Sequence, residues 1–310
     1  MKKIPVLLAL LGLMLTACSG GGGSAGEQSN GILILVTGAT GTQGGAVVNE
    51  LLQRGYTVRG LTRNPDSERA QALTDRGVEM VKGDFDDTES LVAAMRGAHG
   101  VFAVTDFWEH GFAGEVRHGE TLIDIATTEG VQHFVFTSVA GADVYTGIPH
   151  FESKSKIEEY LFASDLNWSV VRPVSFMDNI KYERREILSG VFFDPRDTGK
   201  SHQWIAASDI GFFVGEAFDN PEDWHGKALD IAGDAMTLAE YAEELSRTFG
   251  INVHHQQVTW ETYEEQLGEE MTIMVRWFDK KGYDVDVDAL RARYPNLLTF
   301  SDYMQTLDWQ

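Results

Sequence analysis

From residue 31 onward the apolar positions alternate between two rhythms. Ile32-Leu33-Ile34-Leu35-Val36-Thr37 is an unbroken β-rich run, the pattern of a strand buried on both faces of a parallel sheet. Val47, Val48, Leu51 and Leu52 then recur at helical intervals, with Gly55 as the stop. Residues 56–61 return to a strand run. The rhythm continues with a short helix over 66–74, a strand over 78–82, a helix carrying Leu91, Val92 and Met95, and a strand over 100–104. A helix over 114–129, a strand over 132–138, a helix opening at His150 and a strand over 168–172 complete it. Strand and helix in strict alternation predict an α/β fold, a doubly wound parallel sheet over residues 31–172. Residues 173–310 predict a smaller C-terminal α/β lobe. In it Ser208-Asp209 would cap a helix over 210–218, residues 228–232 form a strand, and Thr237 caps a helix through Phe249. This lobe is expected to close over one end of a cleft.

The turn after the first strand carries the chemistry. Gly38, Gly41 and Gly44 fall at the G-x-x-G-x-x-G spacing between a strand and a helix. Bare backbone there lets N–H groups approach a pyrophosphate, and the helix N-terminus adds the positive end of its dipole. With a second strand completing the βαβ unit, the pattern implies dinucleotide binding rather than an ordinary glycine-rich turn. Where that second strand ends, an NAD site usually offers Asp or Glu to the ribose and an NADP site offers Arg to the 2′-phosphate. Here Thr62 and Arg63 precede Asn64-Pro65, with no carboxylate at the tip. NADP(H) is therefore expected over NAD(H), the alternative being that Arg63 is a solvated loop cation.

Other strand ends supply further candidates. Asp84, with Phe85 beside it, follows the third strand where the adenine edge would lie. It stands too early to cap the next helix, a role left to Asp87 or Thr88. Thr105, Phe107 and Trp108 follow the fourth strand, where the aromatics would either flank a nicotinamide or staple a loop. Ser138 ends the fifth.

Composition narrows the partners. The 310 residues carry a formal charge of −22 with 43% hydrophobic residues, enough apolar matter for a core. That charge excludes nucleic acid and anionic membrane surfaces as direct partners. At the N-terminus, Lys2-Lys3, an apolar run over 5–15 and Leu15-Thr16-Ala17-Cys18 resemble a bacterial lipoprotein signal. That resemblance implies a signal peptide over 1–17, acylation of Cys18, and the cell envelope as the location, with membrane contact only through the lipid. Cys18 is the single cysteine, so the chain has no disulfide. Residues 18–30, rich in Gly and Ser, would be a tether. Nine histidines are present, yet none forms H-E-x-x-H, and His254-His255 would point to opposite faces of a strand. No metal site is expected. Asp284, Asp286 and Asp288 start like a calcium loop but lack its Gly and Glu.

From Gly31 to about Leu245 the chain resembles the NmrA-like branch of the atypical short-chain dehydrogenase/reductases, which has a Rossmann fold. The matching segments are TGATGTQGGAV at 37–47, LTRNP at 61–65, GDFDD at 83–87, TDFWE at 105–109, PHFESKSKIEEYL at 149–161 and VRPVSFMDN at 171–179. WIAASDIG at 204–211 and GKALDIAGDAMTLAEYAEEL at 226–245 are similar too. The resemblance implies cofactor contacts at Gly38, Thr40, Gly41, Thr42, Gln43, Gly44 and Arg63, with Lys154 near the nicotinamide ribose. Short-chain dehydrogenases place a Ser after the fifth strand, here Ser138, and a Tyr-x-x-x-Lys on the next helix, where His150 replaces the Tyr. His150 is then either a proton donor or a plain helix-start residue. Three functions follow as expectations. The first is an NADP(H)-dependent reductase of a small carbonyl or quinone. The second is a non-enzymatic NADP(H)-responsive sensor acting on a protein partner. The third is a lipid-tethered binding protein without cofactor. An exported protein would meet little NADP(H); a start downstream, at Met14 for example, would leave the protein in the cytoplasm.

Overall fold

The computed structural model describes residues 31–309. The expected signal segment, the tether and Cys18 lie outside the described residues.

Seven parallel strands form the main sheet; the central β4 and β5 are buried throughout, whereas β2, β3 and β10 toward the edges mix apolar with charged residues. In chain order the first elements are β1 Leu33–Val36, α1 Thr42–Gln53, β2 Thr57–Thr62, α2 Glu68–Thr74, β3 Glu79–Lys82, α3 Thr88–Met95, β4 Gly100–Ala103, α4 Phe107–Thr128, β5 His133–Thr137, α5 Pro149–Phe162 and β6 Trp168–Pro173. Then follow β7 Ser175–Phe176, a 3-10 turn Met177–Tyr182, α6 Arg184–Leu188, β8 Val191–Asp194, β9 Ser201–Ile205, α7 Ala207–Asp219, α8 Pro221–Trp224 and β10 Lys227–Ile231. The last are β11 Asp234–Thr237, α9 Leu238–Phe249, β12 His254–Gln257, α10 Trp260–Leu267, α11 Glu269–Lys280, α12 Val287–Arg293 and α13 Phe300–Met304. The sheet runs β10-β6-β5-β4-β1-β2-β3, so β1 and β4 are neighbours and the order reverses between them. Ligands of such sheets bind beyond the carboxyl ends of the strands at that reversal.

Two cores flank the sheet. Ile34 and Val36 of β1 face one layer with Val47, Val48 and Leu51 of α1 and Ile210, Phe213 and Val214 of α7. Leu35 faces the other with Leu91 and Met95 of α3, Leu122 and Ile123 of α4, and Ile157 and Leu161 of α5. Each such side chain, fully buried, contributes about 1.5–3 kcal/mol. The close crossing of α1 and α7 depends on Gly211, where a Cβ would sit 2.7 Å from the Ala46 carbonyl oxygen.

The C-terminal region serves two layers. Strand β10 lies beyond the expected boundary at residue 172, yet pairs in parallel with β6 and closes the main sheet. Outside the main sheet, β11, β9 and β7 form a three-stranded sheet and β8 pairs with β12. Tyr263, Val275 and Phe278 of α10 and α11 pack on Ile148 and Phe151 at the start of α5.

Helix ends differ from expectation at two points. Helix α4 starts at Phe107 and not at Gly114, because the Asp106 carboxylate accepts from Trp108 N and Glu109 N. Gly111 (φ 64°, ψ −178°) then breaks it. Helix α7 has Ala206 at its N-cap without a side-chain bond, so Ser208-Asp209 is not the cap. Asp209 instead accepts from Leu298 N at 2.9 Å and ties down the C-terminal segment; burial pushes its carboxyl up to about 7. Thr237 does cap α9, in a reciprocal box with Glu240. Asp286 caps α12 through Ala289 N at 2.9 Å.

Candidate functional site

The glycine turn leaves β1 through Gly38, whose φ of 59° lies in the left-handed region. A Cβ at Gly38 would meet Val104 at 2.8 Å, and one at Gly44 would sit 2.2 Å from the Gly38 carbonyl oxygen. Only backbone fits there. Gly41 caps α1 in extended conformation with no side-chain bond, and the first turn holds no acid. The free N–H groups of that turn therefore face outward as an anion seat. Lys181, from the 3-10 turn, donates to Thr42 Oγ1 at 2.9 Å and brings a cation to the same place. The Thr37 hydroxyl bonds both Val104 N and O, locking the ends of β1 and β4 together.

A cleft of roughly 470 Å³ opens in front of this turn, within the size range of small-molecule sites. Gly38, Thr40, Gly41, Thr42, Gln43, Gly44, Arg63, Asp84, Phe85 and Thr105 all line it. Phe107 does not; its ring meets Trp108 edge-on and His150 at a tilt. Gln43 donates to Thr137 Oγ1 at 3.0 Å, while its Oε1 is buried without a partner. Asp87 caps α3 through Ser90 N, which leaves Asp84 on the cleft wall. The residues present thus fit a dinucleotide: a bare cradle, an open helix end and an orphaned acceptor.

Arg63 is not a free cation. Its guanidinium is gripped by both carboxylate oxygens of Glu109, with Nη2 to Oε2 at 2.9 Å. No carboxylate stands on β2 itself, but the fold brings one from the first turn of α4. Arg63 holds the Glu109 carboxyl below its ordinary range.

At the other end, Lys154 Nζ lies 2.9 Å from Glu115 Oε1 and 2.8 Å from Thr105 Oγ1. Thr105 and Ser153 also donate to Glu115, which is fully buried. Burial acts to raise the Glu115 pKa. The Lys154 charge and the bonds from Ser153, Lys154 and Thr105 outweigh it and hold the carboxyl low. Lys154 thus bonds a residue of the cleft wall, Thr105, but Lys154, His150 and Ser138 themselves do not line the cleft. His150, in the first turn of α5 behind Pro149, bonds Glu270 of α11 through Nδ1 at 2.7 Å. Burial pushes its pKa below the usual histidine value, against the pull of Glu270. Ser138, just after β5, has a buried hydroxyl with no protein partner.

One group of potential metal ligands comes together among the described residues, Asp86, His110 and His118. Arg117 donates to the same Asp86 oxygen that His118 bonds and approaches His118 Nε2 at 3.3 Å. A guanidinium thus holds the place a cation would take. The bonds from His118 and Arg117 lower the Asp86 carboxyl to about 2.

Polar residues that escaped the sequence reading are Ser67, Asp106, Glu109 and His110 in the cleft lining, and Glu115, Lys181 and Glu270 around it. Glu115 carried a signal, since it recurs with His118, Gly119, Leu122 and Ala126 on the buried face of α4. Glu270 carried none, being remote in the chain from its partner.

Comparison with known proteins agrees with this architecture. The chain is 34% identical over 243 residues to an NmrA-like family domain-containing oxidoreductase, notA′, of Aspergillus versicolor, covering 69% of this chain and 68% of that protein. The NADPH-dependent quinone oxidoreductase QOR2 of Escherichia coli, solved with NADPH, superposes with a TM-score of 0.76 at 22% identity, over 88% of this chain and 98% of that one. NmrA, a negative transcriptional regulator solved with NAD, gives 0.74 at 19% identity, over 91% and 96%. The profile of the NmrA-like family matches residues 31–305, and the chain belongs to that family.

Proposed function

We propose that the cleft takes a nicotinamide adenine dinucleotide, NADP(H) ahead of NAD(H), and that the protein reduces a small carbonyl or quinone. The observation that carries this reading is the uncapped head of α1 framed by Gly38, Gly41 and Gly44, which admits a pyrophosphate and nothing bulkier on the protein side. Related proteins named as oxidoreductases, and a structural neighbour solved with NADPH, support it.

When bound, the nicotinamide would supply a hydride. The chain's own residues bind and orient. The α1 N–H groups and Lys181 would hold the pyrophosphate, and Arg63 the 2′-phosphate. Asp84 would meet the adenine. Lys154, fixed by Glu115 and Thr105, would hold the nicotinamide ribose. An ionised carboxylate can only accept, so the bond to Glu270 puts the His150 proton on Nδ1. His150 then hands a proton to substrate only in its doubly protonated form, which its lowered pKa confines to the acid side of the usual histidine range.

Titration of the purified full chain with NADPH and NADH by calorimetry tests the cofactor. Loss of nicotinamide absorbance across a panel of quinones and aldehydes tests turnover. Binding without turnover turns the reading toward an NADP(H)-responsive regulator, and no binding of either dinucleotide overturns it. Lipid attachment at Cys18 is proposed on residues 1–18 alone; labelled fatty acid that a Cys18→Ser variant still incorporates would end that proposal.

A further inference from the structure

Folding stability does not account for the Arg63–Glu109 pair. Its side chains are 59% and 43% exposed, and an ion pair in that setting contributes little to folding. Both residues nevertheless line the dinucleotide cleft. A carboxylate held by two guanidinium N–H groups takes the same fork that a phosphate takes. The rim around Arg63 is acidic as well, with Asp84 and Asp106 close enough for their charges to act on it.

Glu109 is carried on a separate piece of helix. The turn 107–110 is capped by Asp106 and severed from the rest of α4 at Gly111, where a Cβ would meet nothing within 4 Å. Its other anchor is aromatic: Phe107 and Trp108 lie 5.7 and 5.1 Å from the His150 ring, centroid to centroid. The turn is a short arm clasped to Arg63 on one side and resting on His150 on the other.

We infer that Glu109 is a specificity-determining residue, an internal occupant of the seat that a 2′-phosphate would take on Arg63. The inference rests on the reading of the cleft as a dinucleotide site. A 2′-phosphorylated cofactor must displace Glu109 and accept the proximity of its charge. A cofactor with a free 2′-hydroxyl leaves the pair intact and can donate that hydroxyl to the carboxylate. Glu109 therefore narrows the advantage that Arg63 alone would give NADP(H). Its release by a 2′-phosphate also frees the arm that covers His150.

The test is a binding cycle on the full chain: wild type, Glu109→Gln, Arg63→Gln and the double variant, each titrated with NADPH and NADH. Glu109→Gln should tighten NADPH by roughly fivefold, the factor expected for sparing an exposed ion pair, and leave NADH unchanged or weaker. In the Arg63→Gln background the same substitution should leave NADPH unchanged within twofold. Equal effects on the two dinucleotides, or weaker NADPH binding in Glu109→Gln, overturn the inference while the cleft reading stands. Wild type that binds neither dinucleotide removes both. Glu109→Asp, which keeps the charge on a shorter stem, guards against a folding artefact: any tightening of NADPH should be smaller than with Gln, and an equal gain counts against the inference.

Discussion

At the glycine end of the cleft, Gly38, Gly41, Gly44 and the head of α1 lie within one turn of chain and present main-chain groups. At the other end of the proposed site, behind Thr105 and outside the cleft lining, Glu115, Lys154, His150 and Glu270 come from three helices, α4, α5 and α11, and present side chains. Both ends hold charge, but by different physics. The first needs absence of bulk and an unsatisfied helix terminus, which local sequence specifies. The second needs buried ions matched in space, which only the tertiary fold specifies. A local fault should therefore disable the first end outright, whereas a fault in the second should be repairable by removing its partner.

Gly44→Ala is the harshest way to break the first end. The added Cβ would lie 2.2 Å from the Gly38 carbonyl oxygen, and backbone must move to admit it. We expect a loss of dinucleotide affinity on the order of 100-fold, or about 3 kcal/mol at the upper range of overpacking costs. Calorimetry with NADPH checks it. Retention of affinity within threefold would mean that the turn does not carry the pyrophosphate.

Glu115→Gln should come next. It strips the counter-charge from Lys154, whose side chain is only 13% exposed, and breaking such a pair costs about 3 kcal/mol. The denaturant midpoint should fall accordingly. Adding Lys154→Met should restore most of the stability, because the uncompensated charge is then gone. Glu115 acts through Lys154 as a positioning residue, so the single variant should also raise KM for the dinucleotide more than it lowers kcat. A double variant no more stable than the single one would dissolve the claimed pairing.

The two ends also differ in how far the sequence disclosed them. The strands, α1 and the turn were legible because periodicity and glycine spacing are local properties. Thr237 at the head of α9 was legible for the same reason. Asp106 capping α4 was missed because the aromatics after it suggested a loop, and Glu109 was overlooked beside them. The carboxylate opposite Arg63 could not be inferred from the tip of β2, since it arrives from another element. Strand β10 returning to the main sheet is a matter of topology that a run of five apolar and polar residues does not announce. Glu270 facing His150 is legible only in the folded chain.

His150 tests the assembled end through its proton. Burial lowers its pKa, and the protonated form is the donor, so kcat/KM should fall as pH rises through a value below the ordinary histidine range. His150→Asn should flatten that limb and lower kcat about tenfold, a modest figure because water can replace the donor. A wild-type profile that is flat, or a limb that survives the substitution, would leave His150 as no more than the opening of α5.

Lys181 should give the smallest effect, and it bears on the boundary between the two ends. It belongs to the second lobe by sequence, yet its ammonium sits on Thr42 at the head of α1. If it serves the pyrophosphate, Lys181→Met should weaken NADPH and NADH alike by about threefold, the worth of one exposed charge contact. The pyrophosphate is common to both cofactors, so the equality matters more than the size. It sets Lys181 apart from Glu109, whose removal should affect one dinucleotide alone. The loss should also shrink as salt is added, since screening removes an exposed charge's contribution. An unequal effect on the two dinucleotides would assign Lys181 to the ribose phosphate instead, and the glycine end would then share its discriminating charge between two lobes.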